Sequence, residues 1–242
     1  MANPTAAMLV IGDEILSGRT RDANMHFLAG ELTKHGIRLA EVRIVPDIHD
    51  RIVTALNALR DGHDTVFTSG GIGPTHDDIT ADAVAAAFAL PIDVREDARA
   101  LMADHCARTG RTLNEARLRM ARIPEGATLI DNPISAAPGF TLGNVHVMAG
   151  VPSVFQAMVA SVLPAITGGA PLLSQTLRVD RPEGDVATAL GDLAARFPEL
   201  SIGSYPFQQN GAFGTNVVIR GGDSGRVDAA MGQLCALFGV RT

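Results

Sequence analysis

Residues Thr65–Phe88 read TVFTSGGIGPTHDDITADAVAAAF, and this stretch decides how the rest of the chain is read. It opens on five residues of the kind that form a strand buried on both faces. A glycine-rich turn follows, Gly70-Gly71-Ile72-Gly73-Pro74, then Thr75, His76 and the adjacent acids Asp77 and Asp78, and then an alanine-rich helical run. A glycine turn that feeds a helix N-terminus offers unpaired backbone N–H groups to an anion, so one reading is a phosphate-bearing ligand. The other is a tight strand-to-helix turn whose acids only cap the helix. The turn alone leaves both open.

Upstream, Ala6–Ile11 (AAMLVI) is a second short apolar run and ends in Gly12-Asp13-Glu14. Asp22 or Asn24 caps a helix whose Phe27, Leu28 and Leu32 share one face, and Gly36 closes it. Ile37–Val45 is another strand, ending in Pro46-Asp47, and Ile52, Val53, Leu56 and Leu59 mark a helix that stops near Gly62. Strand and helix thus alternate with short connections, the pattern of an α/β domain with a mostly parallel sheet covered by helices. Ligands of such sheets bind beyond the carboxyl ends of the strands. Three strand ends deliver Asp13 and Glu14, Asp47, and Asp77 and Asp78 to that rim; His76, beside the last pair, is either a ligand contact or a solvated loop histidine. Carboxylates without thiols suit a hard cation such as Mg²⁺, another divalent ion or K⁺. Next to a phosphate turn, the natural chemistry is attack on phosphorus, giving pyrophosphate hydrolysis with water or nucleotidyl transfer with another phosphate.

Downstream, Arg95–Arg108 is expected to be a helix with Ala98, Leu101, Met102 and Cys106 inward, and Asn114–Arg122 a helix whose arginines face solvent. Thr128–Ile130 is a brief strand. Asp131–Gly139 is a rigid loop, because Pro133 and Pro138 fix φ. It leads into a hairpin, Phe140–Met148, turned by Gly143-Asn144. Pro152 opens a helix with Val154, Met158 and Val162 inward. A break at Ile166–Pro171 separates a first domain, residues 1–168, from a small α+β module, residues 169–242, of βαββα order. The module has no cluster of acids, histidines or cysteines; Tyr205-Pro206-Phe207 in it reads as core aromatics, with contact to a ligand as the alternative. A packing, oligomerisation or lid role is expected for it, and a homo-oligomer for the protein.

Composition narrows the partners. A hydrophobic content of 46% excludes a disordered chain, and no apolar run reaches the roughly 18 residues of a membrane span. The N-terminus lacks the basic start of a signal peptide, so a cytoplasmic place and no membrane partner are expected. A net charge of −6 without a basic block argues against nucleic acid. Cys106 and Cys235 have no CxxC or histidine-rich context and read as buried thiols. Lys34 is the single lysine, so the P-loop pattern is absent and a phosphate must be held by backbone N–H groups, a metal ion or arginine. The first strand is followed by GDEILSGRT instead of GxGxxG, which disfavours a dinucleotide fold.

Four ordered motifs are specific: GDEILSGRTRDAN (12–24), TSGGIGPTHDDIT (68–80), NPISAAPGF (132–140) and MAGVP (148–152). Over Ala6–Ala165 the chain resembles the molybdopterin-binding (MoaB/Mog) superfamily, in particular the N-terminal domains of CinA-type competence/damage-inducible proteins and the molybdopterin-binding-like domain of FAD synthase. The resemblance implies a three-layer domain in which Gly70, Gly71, Gly73, Pro74 and Thr75 form the phosphate loop, with His76 beside it. Asp78 matches the essential acid at the helix start and Asp47 the acid after the second strand. Asp13 and Glu14 match the GDE element and, with Asp77, are the expected metal ligands; Asn132, Pro133 and Ser135 belong to a loop that closes on the ligand. The implied activity is metal-dependent hydrolysis of ADP-ribose or an FAD-like pyrophosphate. The alternatives are molybdopterin binding or adenylylation, and a ligand-binding protein without turnover. The wording GGIGPTHDD departs from the turn of the molybdenum branch and favours the CinA and FAD synthase branch. The amidase domain of full-length CinA-type proteins and the second catalytic domain of FAD synthase have no counterpart in this sequence, and neither activity is expected.

Overall fold

Short apolar runs set the sheet of the first of two units, Met1–Gly169; the second is Ala170–Thr242. The computed structural model describes residues 3–209 and 211–240. The first unit runs β1 (Thr5–Ile11), α1 (Asp13–Leu16), α2 (Asn24–Lys34), β2 (Arg38–Val45), α3 (His49–Gly62), β3 (Thr65–Ser69), α4 (Thr80–Ala87), β4 (Ile92–Val94), α5 (Glu96–Arg108), α6 (Glu115–Leu118), β5 (Arg122–Pro124), β6 (Thr128–Ile130), β7 (Gly139–Leu142), β8 (Val145–Met148) and α7 (Pro152–Val162). Six strands make one sheet in the order β2-β1-β3-β8-β7-β6, and only β7 runs against its neighbours.

Side chains of a strand alternate between faces, and β1 shows why three layers result. Ala7, Leu9 and Ile11 join Ile52, Leu56 and Leu59 of α3 and Val84 of α4 in one core. Ala6, Met8 and Val10 join Leu28 and Leu32 of α2 and Phe155, Met158 and Val159 of α7 in the other. All five residues of β3 are buried. Each large aliphatic side chain so covered contributes about 1.5–3 kcal/mol. On β8, His146 is 8% exposed, its Nδ1 lies 2.9 Å from Thr141 Oγ1, and burial lowers its pKa to about 4.

Some local expectations differ from the structure. On α5, Ala98, Met102 and Cys106 form the buried line at i, i+4, i+8, while Leu101 falls off it and is 49% exposed. The helix expected over Asn114–Arg122 is only α6 followed by a 3₁₀ turn at Arg119–Ala121. Arg122 then begins β5, which pairs antiparallel with β4 and replaces helix by sheet. Arg122 is not solvated either, because it grips Asp82.

The second unit is β9 (Leu173–Val179), α8 (Glu183–Arg196), β10 (Ser201–Gln209), β11 (Ala212–Gly221) and α9 (Ser224–Phe238), with an antiparallel sheet in the order β10-β11-β9. Val186, Leu190 and Leu193 of α8 and Val227 and Leu234 of α9 pack on Val217 and Ile219. Tyr205 is not core: it is 50% exposed and its ring lies against Gly203, where a Cβ would stand 3.3 Å from it. Among the described residues no helix is long and apolar enough to cross a membrane.

Candidate active site

The strand order reverses at β1, since β2 lies on one side of it and β3 on the other, and such a switch point opens a crevice beyond the carboxyl ends. Gly70, at the end of β3, occupies that seam with φ +108°. A Cβ there would stand 2.1 Å from the Ile11 carbonyl oxygen, so only glycine fits. Its amide donates to Met148 O at 3.1 Å. Gly71, at φ +67°, is equally restricted, because a Cβ would meet the Thr80 hydroxyl oxygen at 2.1 Å. Thr80, fully buried, donates its amide to Gly71 O at 2.9 Å and its hydroxyl to Gly70 O at 3.0 Å. The turn is thus anchored through these carbonyls, while the amides of Gly71, Ile72 and Gly73 meet no acceptor among the described residues.

Asp78 does not cap α4. The helix begins at Thr80 and its N-cap position, Ile79, makes no side-chain cap. Asp78 Oδ2 instead accepts from the Thr75 amide at 2.8 Å and from the Thr75 hydroxyl, closing the turn over Gly73. Asp47, half-buried after β2, accepts from the Asp13 amide at 3.0 Å. Burial raises its carboxyl pKa above the ordinary carboxylate value; the charges of Asp13, Glu14 and Asp77 push the same way and the Asp13 amide opposes them. The Glu14 carboxylate folds over Gly12, where a Cβ would lie 2.6 Å from it.

Asn24 corrects a second expected cap. It is buried, and its Nδ2 donates to Ser69 Oγ and to Gly150 O, both at 2.8 Å, tying α2 to β3 and to the loop before α7. Asp22 does the capping, accepting from the Met25 amide at 2.8 Å. Asn132 is also buried: Nδ2 donates to Ser135 Oγ and Ala137 O, and Oδ1 accepts from the amides of Ile134 and Ser135. Its hydrogen-bonding capacity is used inside its own loop, so it shapes the wall and has no free group for a ligand.

These loops enclose a cleft of about 520 Å³. Its walls include Glu14, Asp47, Gly70, Gly71, Gly73, Pro74, Thr75, Asp77, Asp78, Asn132 and Ser135. Three expected residues lie elsewhere. Asp13 reaches the site through its amide and its charge on Asp47. The His76 side chain is 97% exposed, and Pro133 lines a separate groove with Leu101 and Arg108. The sequence reading missed Thr20, Met120 and Gly150–Pro152 on the walls. The last of these follows β8 and shares the rim of β1 and β3, which the strand-end rule could have flagged.

Among the described residues no three His, Cys, Asp or Glu side chains form a ready cage for a metal. Magnesium seldom uses one: it is held by one or two carboxylates together with substrate phosphates. Glu14 and Asp77 beside a phosphate-sized turn fit that open arrangement, and a caged site does not fit.

Comparison with known proteins agrees with this fold. The family model of the probable molybdopterin binding domain matches residues 7–168, and that of the FAD synthase middle domain matches residues 171–241. A probable FAD synthase of Caenorhabditis elegans is 33% identical over 259 aligned residues, covering 97% of this chain and 50% of the relative, so the chain spans about half of that protein's length. A protein of Pyrobaculum calidifontis is 32% identical, with 84% of this chain and 81% of the relative covered. The crystal structure of the Thermoplasma acidophilum protein CinA, described as of unknown function, superposes with a TM-score of 0.62 at 32% identity, over 68% of this chain and 99% of that one. The chain belongs to the family of the probable molybdopterin binding domain, in its CinA-like and FAD synthase-like form.

Proposed function

We propose that the cleft binds a nucleotide pyrophosphate such as ADP-ribose or FAD and hydrolyses it with the help of a divalent cation. The observation that carries this reading is the shared wall: unpartnered amides at Gly71–Gly73 and the carboxylates of Glu14, Asp47, Asp77 and Asp78 around one cleft. Amides of a tight turn attract phosphoryl oxygens, whereas carboxylates repel them, so acids beside a phosphate turn call for a cation between the two. Mg²⁺, when bound, neutralises charge developing at phosphorus and makes a water more acidic. Glu14 and Asp77 hold the cation and Gly71–Gly73 orient the phosphoryl group. Asp47, half-buried on the same wall as Glu14, takes the proton of the attacking water. The new P–O bond forms as the bond to the bridging oxygen breaks, and AMP and a second phosphomonoester leave. Asp78 keeps the turn in shape through Thr75.

Incubating the purified protein with ADP-ribose and FAD, with and without divalent metals and K⁺, tests this; absence of AMP with every metal removes it. The match to the molybdopterin-binding family supports a second reading, pterin binding or adenylylation. That reading expects a pterin retained through purification and ATP-dependent adenylylation of it. A protein that only binds would shift its melting temperature with these ligands while turning none over.

A further inference from the structure

The walls of the cleft carry four acids and no basic residue. The single lysine lies on α2 and is paired with Glu31 at 2.6 Å, so positive charge for a polyphosphate has to come from a cation or from arginine. Two arginines stand beside the glycine turn. A recess of about 20 Å³ shares Gly71, Ile72, Gly73 and Asp78 with the cleft, and Arg119 and Arg122 line it. Arg122 is committed, because its Nη1 and Nη2 hold the two oxygens of Asp82, each at 2.7 Å. That bidentate pair ties the start of β5 to α4, the helix that leaves the same glycine turn, and so fixes the 3₁₀ turn just before β5. Arg119 sits on that 3₁₀ turn. It is exposed, and its guanidinium has no hydrogen-bond or ion-pair partner among the described residues.

We propose that Arg119 binds the second phosphoryl group of a diphosphate whose first phosphoryl group lies on the Gly71–Gly73 amides, so that it selects diphosphates over monophosphates. The planar guanidinium fork matches two phosphoryl oxygens, and one without a protein partner has all its donors open to them. This deepens the pyrophosphate reading and rests on it for the nucleotide part of the ligand.

The test is calorimetric titration of the full chain in excess Mg²⁺ with α,β-methylene-ADP, which resists cleavage, with AMP, and with methylene diphosphonate. The wild type should bind the diphosphate nucleotide more tightly than AMP. Arg119→Ala should weaken that binding about tenfold or more, as loss of a charge-assisted contact does, and leave AMP unchanged. Arg119→Lys should restore part of the difference, and circular dichroism should show both variants folded. Equal weakening of both nucleotides, or of neither, overturns the proposal. If the wild type binds neither nucleotide, the pyrophosphate reading falls and methylene diphosphonate decides the arginine alone. Binding lost in Arg119→Ala supports it; binding absent or unchanged overturns it.

Discussion

Two of the loops that line the cleft treat their polar groups in opposite ways. The loop from Asp131 to Pro138 is closed on itself: Asn132 uses both amide hydrogens and accepts two backbone N–H groups, and the loop holds Ala136 at φ 57°. The turn from Gly70 to Asp78 is tied down by Thr80, Met148 and the Thr75–Asp78 bonds, and it leaves the Gly71–Gly73 amides without an acceptor. A loop that satisfies itself acts as scaffold, whereas one that is rigid and still has open donors is preorganised for an anion.

The harshest way to break this contrast is Gly70→Ala. Its Cβ would meet the Ile11 carbonyl oxygen, both atoms being fixed by the sheet, so urea denaturation should show a loss of about 4 kcal/mol or no folded protein. A loss below 1 kcal/mol would mean that the turn is soft and the idea of preorganisation wrong.

Acid offers a probe from outside both loops. His146 has a folded pKa of about 4 against an ordinary value of 6.5, so the unfolded chain takes up the proton first. The stability is complete above pH 6.5 and is lost as pH falls towards 4, by about 3 kcal/mol. His146→Gln should flatten that part of the urea profile; an unchanged slope refutes the assignment.

Asp47→Asn sharpens the functional side. Turnover should drop about a hundredfold with little change in KM, and the acid limb that Asp47 gives the pH–rate profile should disappear. A carboxyl with a raised folded pKa weakens the fold once it is charged. The variant should therefore melt higher at neutral pH and lose that advantage as pH falls below the usual carboxylate pKa.

Asn132→Ala attacks the closed loop, taking the partner from the Ile134 and Ser135 amides and from the Ala137 carbonyl and leaving a hole where the buried side chain stood. A loss of about 2 kcal/mol is expected in thermal unfolding, and a result near zero would show that the loop does not depend on this side chain. The smallest effect is a gain: Ala136→Gly relieves the positive φ, offset in part by added freedom in the unfolded chain, for about 0.5 kcal/mol. Destabilisation instead would show that the Ala136 methyl packs to advantage.

Much of the fold was legible because strands buried on both faces read as bare apolar runs. Thr65–Ser69 and Thr128–Ile130 have the expected bounds, and Pro152 marks the start of α7 as its chemistry requires. The β4–β5 pair was not legible, since three residues a side carry no period that rises above chance. Leu101 was misjudged because an apolar residue one step off a helical stripe looks like part of it. Asn24 reads locally as a cap, and only its partners 45 and 126 residues away reveal a tie between loops. At the site, the strand-end rule located the acids of three loops, but it says nothing of side-chain direction, and direction separates Asp78 from His76. Arg119 had a single sequence cue, the scarcity of lysine, and its position depends on the Arg122–Asp82 pair.

The bonds of Gly70 and Asn24 to residues 148 and 150 have a consequence for synthesis. A nascent chain exposes the glycine turn and most of its acids long before β8 leaves the ribosome, and β3, which can pair with β1 on one edge, has its other edge open until Val66 pairs with Val145. Long-range parallel pairing is the slow part of such topologies. The cleft is therefore assembled last from parts made early, and an arrested or truncated product that ends before Met148 carries the acids without a binding site.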